Sequence, residues 1–396
     1  MNYILFDDTL VHGALLPLTY TRPISHIRLG IVTIAEKWLH FLQGEVSYLT
    51  EGFLQKKYIS VWGEDNLLIN GSLCPDQNLI TVIKKLSPGE SLQCGNVLVA
   101  LRTPHPLKDC RDVITQAEKT TVHTYTGTLT QVRQLSDIFL LNGSQIRSDY
   151  AWITEKRISK EITDPHTIMY NPSQIFLEEG AKTKACILNA ENGPIYIGKY
   201  ADIQEGSIIR GPFAIGESSI VALGAKMRGE ITIGPHCKIG GEVSNSILFG
   251  FSNKGHDGYL GNSILGEWCN LGADTNTSNL KNDYGLVKQW SYAEKDFVDT
   301  GRQFVGLVMG DHSKAGINTM FNTGTVVGVS ANIFGGNFPP KHIPSFTWGG
   351  ADGLDTYRLD RALEVAQRVL ERKAILLTAE DREILTYVFH ATHGIQ

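Results

Sequence analysis

An apolar residue recurs at every sixth position in the middle of this chain. The unbroken series is Ile197, Ile203, Ile209, Ile215, Val221, Met227, Ile233 and Ile239, and small residues often follow, at Gly198, Gly216, Ala222, Gly234 and Gly240. A helix repeats its apolar face every three or four residues and a strand every two, so neither explains a period of six. A coil of short strands with three six-residue sides does, and the sequence therefore predicts a parallel β-helix of hexapeptide repeats.

The same register returns further along the chain after an irregular stretch. The later members are Leu265, Leu271, Met309, Ala315, Phe321, Val327 and Ile333. The repeat is irregular between residues 240 and 264 and absent from 283 to 300, which predicts a loop that projects from the coil. Because regular coils are a scaffold, we expect a functional site where the repeat breaks.

The two ends of the chain have different patterns. Residues 1–165 contain short apolar runs at 3–6, 46–50, 97–101 and 138–141 and a helical pattern opened by Thr33 and Glu36 at capping-box spacing. This alternation predicts an α/β domain with a mostly parallel sheet. Residues 166–345 are assigned to the β-helix. Residues 346–396 are assigned to a helical cap, which we expect to cover the last coil.

Composition excludes several classes of protein. The net charge of −5 and the pI near 6.2 argue against a nucleic-acid or anionic-membrane surface. The six cysteines form no CxxC pair, which favours reduced thiols over disulfides or a zinc site. No stretch has the pattern of a signal peptide or a membrane span, and we therefore expect a cytoplasmic protein.

One N-terminal motif resembles a known family. Pro17-Leu18-Thr19, followed by Arg22-Pro23, resembles the nucleotide-binding loop of sugar-1-phosphate nucleotidyltransferases. The family's phosphate-binding arginine would fall on Ala14, and its metal-binding aspartate would fall on Ser144. The resemblance implies UTP and Mg²⁺ as reactants, with substitutes needed for both missing groups. Candidate substitutes are Arg22, Arg28 or Lys37 for the phosphates and Asp7, Asp8 or Asp149 for the metal, and no single metal ligand is assigned.

Ligands of parallel sheets bind at the carboxyl ends of the strands. We therefore expect one nucleotide-binding crevice in the N-terminal domain. Its candidate residues are Asp7, Asp8, Thr19, Arg22 and Asn142.

A second resemblance lies where the hexapeptide repeat breaks. His256-Asp-Gly-Tyr259-Leu-Gly-Asn262, then Asn270-Leu-Gly-Ala273, then Asn279 have residue types and spacings similar to one family's acetyltransferase site. That family is the bifunctional UDP-N-acetylglucosamine pyrophosphorylase / glucosamine-1-phosphate N-acetyltransferase. The resemblance implies a left-handed β-helix, a homotrimer, and His256 as the general base. It also implies sugar contacts from Tyr259 and Asn270, and acetyl-CoA near Asn279 and Ala273.

Each of these residues also has an ordinary structural interpretation. A single histidine is usually a surface residue, and asparagine often fills tight corners because it tolerates left-handed backbone angles. Arg210, Lys238 and Lys254 are candidate contacts for a sugar phosphate, and Arg228 is a further available cation; all could equally be solvated charges. Leu280 stands where the family has tyrosine, so the identity of the sugar is left open.

Taken together, these patterns and resemblances predict acetyl-CoA-dependent N-acetylation of a hexosamine 1-phosphate, and glucosamine 1-phosphate is the expected substrate. Uridylyl transfer from UTP would then produce a UDP-N-acetylhexosamine. One alternative is an acetyltransferase whose N-terminal domain is not catalytic, and another is a regulatory protein that binds a sugar nucleotide. A zinc hydratase of β-helix type is disfavoured, because His236, His256 and His312 lack the paired spacing of metal ligands.

Overall fold

The structure is a computed structural model, and it describes residues 1–394. By contacts the chain divides into two compact units. The first unit contains Met1–Ile27, Val32–Asp137 and Thr378–Tyr387. The second contains Arg28–Ile31, Ile138–Leu377 and residues 388–394.

The first unit is built on a six-stranded sheet. The strands of the sheet are β1 (Asn2–Phe6), β2 (Val46–Leu49), β3 (Asn66–Asn70), β5 (Glu90–Cys94), β6 (Val97–Thr103) and β7 (Thr121–Thr124), and β4 (Leu73–Cys74) and β8 (Thr130–Gln131) form a separate antiparallel pair. The helices of this unit are α1 (Thr9–Ala14), α2 (Ile34–Leu42), α3 (Gln77–Ile83) and α4 (Cys110–Ala117). The sheet order is β2-β1-β3-β6-β5-β7, and β6 runs antiparallel to both neighbours, so the sheet is mixed.

Most of the predicted elements of this unit are confirmed, and one is wrong. Strands occur at 2–6, 46–49 and 97–103, and Thr33 and Glu36 form the predicted capping box before α2. The run at 138–141 is not a strand, because it lies inside the helix α5 (Leu135–Thr154). Ile138, Asn142, Ile146 and Asp149 are buried at helical spacing, whereas Leu140 is 42% exposed.

The second unit is a long series of short strands. They are β9 (Ile168–Tyr170), β10 (Ile175–Leu177), β11 (Lys182–Thr183), β12 (Ile187–Asn189), β13 (Ile195–Ile197), β14 (Asp202–Ile203), β15 (Ile208–Arg210), β16 (Phe213–Ile215), β17 (Ile220–Val221), β18 (Lys226–Met227), β19 (Ile231–Ile233), β20 (Lys238–Ile239), β21 (Glu242–Ser244), β22 (Ile247–Gly250), β23 (Asn253–Lys254), β24 (Tyr259–Gly261), β25 (Ile264–Glu267), β26 (Asn270–Leu271), β27 (Asn276–Thr277), β28 (Lys288–Ser291), β29 (Asp296–Asp299), β30 (Val308–Met309), β31 (Lys314–Ala315), β32 (Met320–Phe321), β33 (Val326–Val327), β34 (Asn332–Ile333), β35 (His342–Ile343), β36 (Thr347–Gly350) and β37 (Gly353–Thr356). The helices α6 (Leu359–Glu371) and α7 (Ala379–His393) follow.

These strands form three parallel sheets that are the three sides of a coil. Face 1 has the order β10-β13-β16-β19-β22-β25-β30-β33-β35, and face 2 has β11-β14-β17-β20-β23-β26-β31-β34-β36-β37. Face 3 has the order β24-β21-β18-β15-β12-β9 and is continued by the pair β27-β32. The predicted architecture is confirmed: an α/β domain, a parallel β-helix of hexapeptide repeats and a helical tail.

The hexapeptide residues fill the interior of this coil. On face 2, Ile203 pairs with Val221 and Val221 with Ile239, and all three are fully buried. The small residue that follows is required because the next coil passes directly against it. A Cβ added to Gly216 would lie 2.7 Å from Pro235 N, and one added to Gly234 would lie 1.9 Å from Phe249 O.

The coil is interrupted at the predicted positions. The segment from 283 to 300 leaves the coil and contains the antiparallel hairpin β28-β29. At the end of the coil, β37 pairs antiparallel with β36, and Phe389 of α7 packs edge-on against Phe346 at 5.2 Å. Within residues 1–394, no helix is both long and apolar enough to cross a bilayer.

Candidate functional site

His256 lies at the corner where the chain turns from face 2 into face 3, between β23 and β24. A cavity of about 580 Å³ opens at this corner and is lined by His256, Asp257, Lys238, Ala273 and Asp274. Glycine backbone at 240, 241 and 255 forms much of the remaining wall, which keeps the cavity open. The structure thus brings together the predicted base, one predicted cation and one predicted acetyl-CoA contact.

The imidazole of His256 is exposed. It makes no side-chain hydrogen bond within residues 1–394, so it is free to contact a ligand in the cavity. A general base must reach the proton that it removes, and an exposed imidazole at the rim of a cavity satisfies that requirement.

Lys254 is a buried residue and does not line this cavity. It pairs with Ile239 at an inward position of the coil and is 1% exposed. Its Nζ donates to the carbonyl oxygens of His256 at 2.6 Å and Asp257 at 2.8 Å. Burial lowers the pKa of Lys254 to about 8, while the charges of Asp257 and Asp274 act in the opposite direction. The predicted sugar contact is therefore a residue that positions the His256 corner from inside.

We expect Lys254→Met to loosen that corner while leaving the coil folded. Methionine retains the apolar stem but leaves two backbone carbonyls without their donor. Amide hydrogen exchange at residues 256–258 should speed up at least about tenfold, since one such hydrogen bond contributes about 1–2 kcal/mol. Ile333→Met, at the same inward position three coils later, is the matched control. Equal exchange at 256–258 in both variants would contradict the positioning role.

Asn270 lies in the outward row of face 2. Lys238 pairs with Asn253, and Asn253 pairs with Asn270. The Asn253 side-chain amide donates to Asn270 Oδ1 at 2.8 Å. Lys238 and Asn270 therefore lie two coils apart on one face, with Asn253 between them. Asn253 was not among the candidate residues predicted from the sequence.

Tyr259 and Asn279 form a separate group on face 3. Asn279 Nδ2 donates to the Tyr259 hydroxyl at 3.2 Å and to Asn262 Oδ1 at 2.7 Å. Burial raises the pKa of Tyr259, and the charge of Arg228 opposes that shift. Arg228 pairs with Glu242 at 2.9 Å. The cation near Tyr259 is thus Arg228, and not the predicted Arg210.

Arg210 lies apart from both groups. It is an exposed residue at the end of β15, and the strands β18 and β21 separate it from β24. A single chain therefore presents the predicted site in two parts, one at the His256 corner and face 2, the other on face 3.

Asp7, at the end of β1, is a buried carboxyl group and is 1% exposed. It accepts hydrogen bonds from Ile24 N at 2.9 Å and from the Thr50 hydroxyl at 2.6 Å. Burial raises the pKa of Asp7 to about 7, helped by the negative charges of Glu51 and Asp8. His12 Nε2 lies 3.9 Å away, and burial lowers the pKa of His12 to about 4, so both groups favour their neutral forms.

We expect Asp7→Asn to change how stability depends on pH. The folded-state pKa of Asp7 lies above its ordinary value of 3.8, so its contribution to stability is complete below about pH 4 and is lost as the pH rises to about 7. The free energy of unfolding of Asp7→Asn, relative to wild type, should therefore increase between pH 5 and pH 8 in urea titrations. Asp8→Asn, which keeps the α1 cap, is the control. A constant difference for Asp7→Asn would contradict the assignment.

The other predicted nucleotide-binding residues also have structural contacts. Asp8 caps α1 through Leu10 N and Val11 N, and the Thr19 hydroxyl donates to His12 O at 2.7 Å. Arg22 is only 4% exposed. Asn142 belongs to the second unit, where its side chain accepts from Gly30 N at 2.9 Å and from the Thr232 hydroxyl at 3.0 Å and donates to Glu230 O. The structure therefore does not place Asn142 at the end of a sheet strand.

The strand expected before Asn142-Gly143-Ser144 is instead part of the helix α5. Two copies of this tripeptide exist, at 70–72 and 142–144, and only the first follows a strand, β3, which pairs with β1. Gly71 N donates to Phe6 O, so Asn70-Gly71-Ser72 adjoins Asp7. The apolar residues 67–69, directly before Asn70, were the signal in the sequence for the strand β3.

The carboxylates of the expected magnesium site do not fit that ion. Asp7 is buried and hydrogen bonded, Asp8 caps a helix, and Asp149 accepts from Ile31 N at 2.8 Å. Within residues 1–394, no three His, Cys, Asp or Glu side chains converge as metal ligands do. Mg²⁺ prefers several oxygen ligands in near-octahedral geometry, and these residues do not provide them.

Comparisons with known proteins bear on both parts of the chain. Residues 3–158 match the family model of the sugar nucleotidyl transferases. The bifunctional protein GlmU of Methanocaldococcus jannaschii is 39% identical over 87 residues, 22% of this chain and 21% of that protein. The predicted resemblance is confirmed. A bifunctional sugar-1-phosphate nucleotidylyltransferase/acetyltransferase of Sulfurisphaera tokodaii is 33% identical over 95 residues, 24% of this chain and 23% of that protein.

These matches are partial. The chain spans about a fifth of the length of the curated relatives that it matches. Among solved structures, the Arabidopsis UDP-N-acetylglucosamine acyltransferase is 15% identical, with 59% of this chain and 93% of that chain covered and a TM-score of 0.25. The description of the β-helix therefore rests on the strand pairings of this chain itself.

Proposed function

We propose that this protein is a transferase that moves an acetyl group from acetyl-CoA to the amino group of a hexosamine 1-phosphate. The observation that carries the proposal is the cavity at the His256 corner, where an exposed imidazole, Lys238 and Ala273 meet. In this reaction His256 removes a proton from the amine as its nitrogen attacks the thioester carbonyl. The carbon–sulfur bond breaks, and coenzyme A leaves as the thiol after taking up a proton.

A second proposed activity is uridylyl transfer by the N-terminal domain. The match of residues 3–158 to sugar nucleotidyl transferases supports it. The burial of Asp7 and Arg22, and a carboxylate set within residues 1–394 that does not fit magnesium, argue against it. We therefore place acetyl transfer first, and the acetyltransferase with a non-catalytic N-terminal domain becomes the leading form of the proposal. Release of pyrophosphate from UTP and an N-acetylhexosamine 1-phosphate in the presence of Mg²⁺ would establish the second activity.

The direct test is thiol release from acetyl-CoA by the wild-type protein. Glucosamine 1-phosphate is the first acceptor, followed by galactosamine 1-phosphate and the free amino sugars. Turnover that depends on both the amine and the phosphate supports the proposal. No release with any acceptor contradicts it and favours a regulatory protein that binds sugar nucleotides.

We further propose a homotrimer in which neighbouring copies complete each site. One chain separates the His256 corner from the Tyr259–Asn279 group on another face, and a three-fold arrangement of coils places different faces against each other. The site would then combine the corner of one copy with face 3 of the next.

Complementation between two inactive variants tests this arrangement. His256→Ala removes the corner base, and Tyr259→Ala removes the face 3 hydroxyl. If sites form between copies, coexpression of the two variants in equal amounts should restore about a quarter of the wild-type activity, since one interface in four combines both intact parts. Coexpressed variants no more active than either variant alone would show that each site lies within one copy.

A further inference from the structure

A second cavity lies beside the His256 corner, between face 2 and the end of α6. It has a volume of about 610 Å³, within the range of small-molecule sites. Its floor is the outward row of face 2, including Lys238, Asn253 and Asn270, and its far wall is formed by Val369, Arg372 and Lys373. We call this cavity the α6 groove.

The α6 groove is lined by an excess of positive charge. Lys238, Lys314, Arg372 and Lys373 all line it, and no lining side chain within residues 1–394 is a carboxylate. None of the four cations forms an ion pair within the described part of the chain. Two acidic groups lie near the groove but do not line it. Besides burial, Glu267 raises the pKa of the Cys237 thiol, and Asp311 raises that of Cys269.

Lys314 is the least solvated of these cations. Its Nζ donates to His312 O at 2.7 Å, and burial lowers its pKa. A partly buried ammonium group without a carboxylate partner is stabilised by an anion that enters its surroundings.

The near wall of the groove is an aromatic column. His236, Phe251, Trp268 and His312 occupy the same corner of successive coils, each with a positive φ, and stack with centroid distances of 5.1, 4.2 and 6.4 Å. Three of these rings, His236, Phe251 and Trp268, line the groove. Because the ring faces contact one another in the stack, the rings present their edges to the groove. Ring edges attract the π-face of another aromatic group.

We propose that the α6 groove binds the diphosphate of a ligand that also carries an aromatic base. The cations meet the diphosphate, and the aromatic column meets the base. Both coenzyme A and a nucleoside diphosphate sugar have this chemistry. The inference rests on the proposed function for the shared use of Lys238, which lines both the groove and the cavity at the His256 corner.

The test is calorimetric binding of three probes to the whole protein: coenzyme A, UDP-N-acetylglucosamine and inorganic pyrophosphate. The variant Arg372→Gln/Lys373→Gln removes two exposed groove cations and should weaken binding of the first or second probe at least about tenfold, as expected for charge-assisted contacts. Arg368→Gln, on the same helix but paired with Glu364, is the matched control and should change affinity less than twofold.

The outcomes separate the two possible ligands. Groove-dependent binding of coenzyme A assigns the groove to the acyl donor, and groove-dependent binding of UDP-N-acetylglucosamine assigns it to a sugar nucleotide. If pyrophosphate binds as tightly as coenzyme A or UDP-N-acetylglucosamine, the aromatic column has no role in binding, and that part of the proposal is overturned. Equal affinities of the double variant and wild type for all probes would overturn the proposal.

Failure of this inference can be distinguished from failure of the proposed function. Thiol release that is retained in the double variant, with unchanged affinities, leaves the acetyltransferase in place and removes the groove. Groove-dependent binding without any thiol release leaves the groove in place and removes the acetyltransferase. Trp268→Phe provides an independent signal, because a ligand in the groove should change tryptophan fluorescence in wild type and not in this variant.

Discussion

His256→Ala should reduce acetyl transfer from acetyl-CoA to glucosamine 1-phosphate at least about a hundredfold. A positioned general base contributes roughly 10²–10⁴-fold to a reaction rate, and the described residues that line the cavity include no second histidine. The loss should appear in kcat, with little change in KM, since the base acts on the reacting amine and not on the rest of the sugar. Release of free thiol under saturating acetyl-CoA measures both constants.

A matched variant shows whether the loss is specific to the corner. His166→Ala removes another exposed histidine, which precedes the first coil. It should retain wild-type turnover. If wild type is active and His256→Ala keeps more than a tenth of that activity, His256 is not the base, and the proton is removed by another group.

Gly234→Ala should have the largest effect on stability. The added Cβ would lie 1.9 Å from Phe249 O and 2.4 Å from Phe249 C, which belong to the backbone of the next coil. That coil cannot move away without lengthening the hydrogen bond from Gly234 N to Leu248 O, now 2.8 Å. We expect a loss of about 3 kcal/mol or more and a fall in Tm of about 6–12 °C.

Gly336→Ala is the control for a glycine of the same unit. A Cβ at Gly336 would meet no atom within 4 Å, so its Tm should stay within about 2 °C of wild type. A Gly234→Ala protein as stable as Gly336→Ala would mean that the coils are not packed as tightly as the structure describes.

The resemblance to bifunctional proteins led to the correct fold. Of the residues that it implied for the site, His256 and Ala273 line one cavity, together with the cation Lys238. Arg210 does not line that cavity, and on face 3 the strands β18 and β21 separate it from Tyr259. Asn142 was wrongly predicted to follow a strand, because the apolar run at 138–141 is part of the helix α5.

The sequence by itself determined the β-helix. Each coil needs an inward apolar side chain and a small residue beside it, and both requirements recur at a fixed local spacing that sequence alone displays. The capping box before α2 was equally local, since its two hydrogen bonds join residues three apart.

Only the tertiary structure decided the roles of the polar residues. Lys254 and Lys238 look alike in the sequence, yet one points into the coil and the other out of it, because three residues are missing from the coil that joins Ile239 to Lys254. Asp7 is neutral below about pH 7 because distant segments bury it. The α6 groove exists because the end of a helix packs beside strands that lie far earlier in the chain. Burial and long-range contact follow from how segments pack, which no local spacing displays.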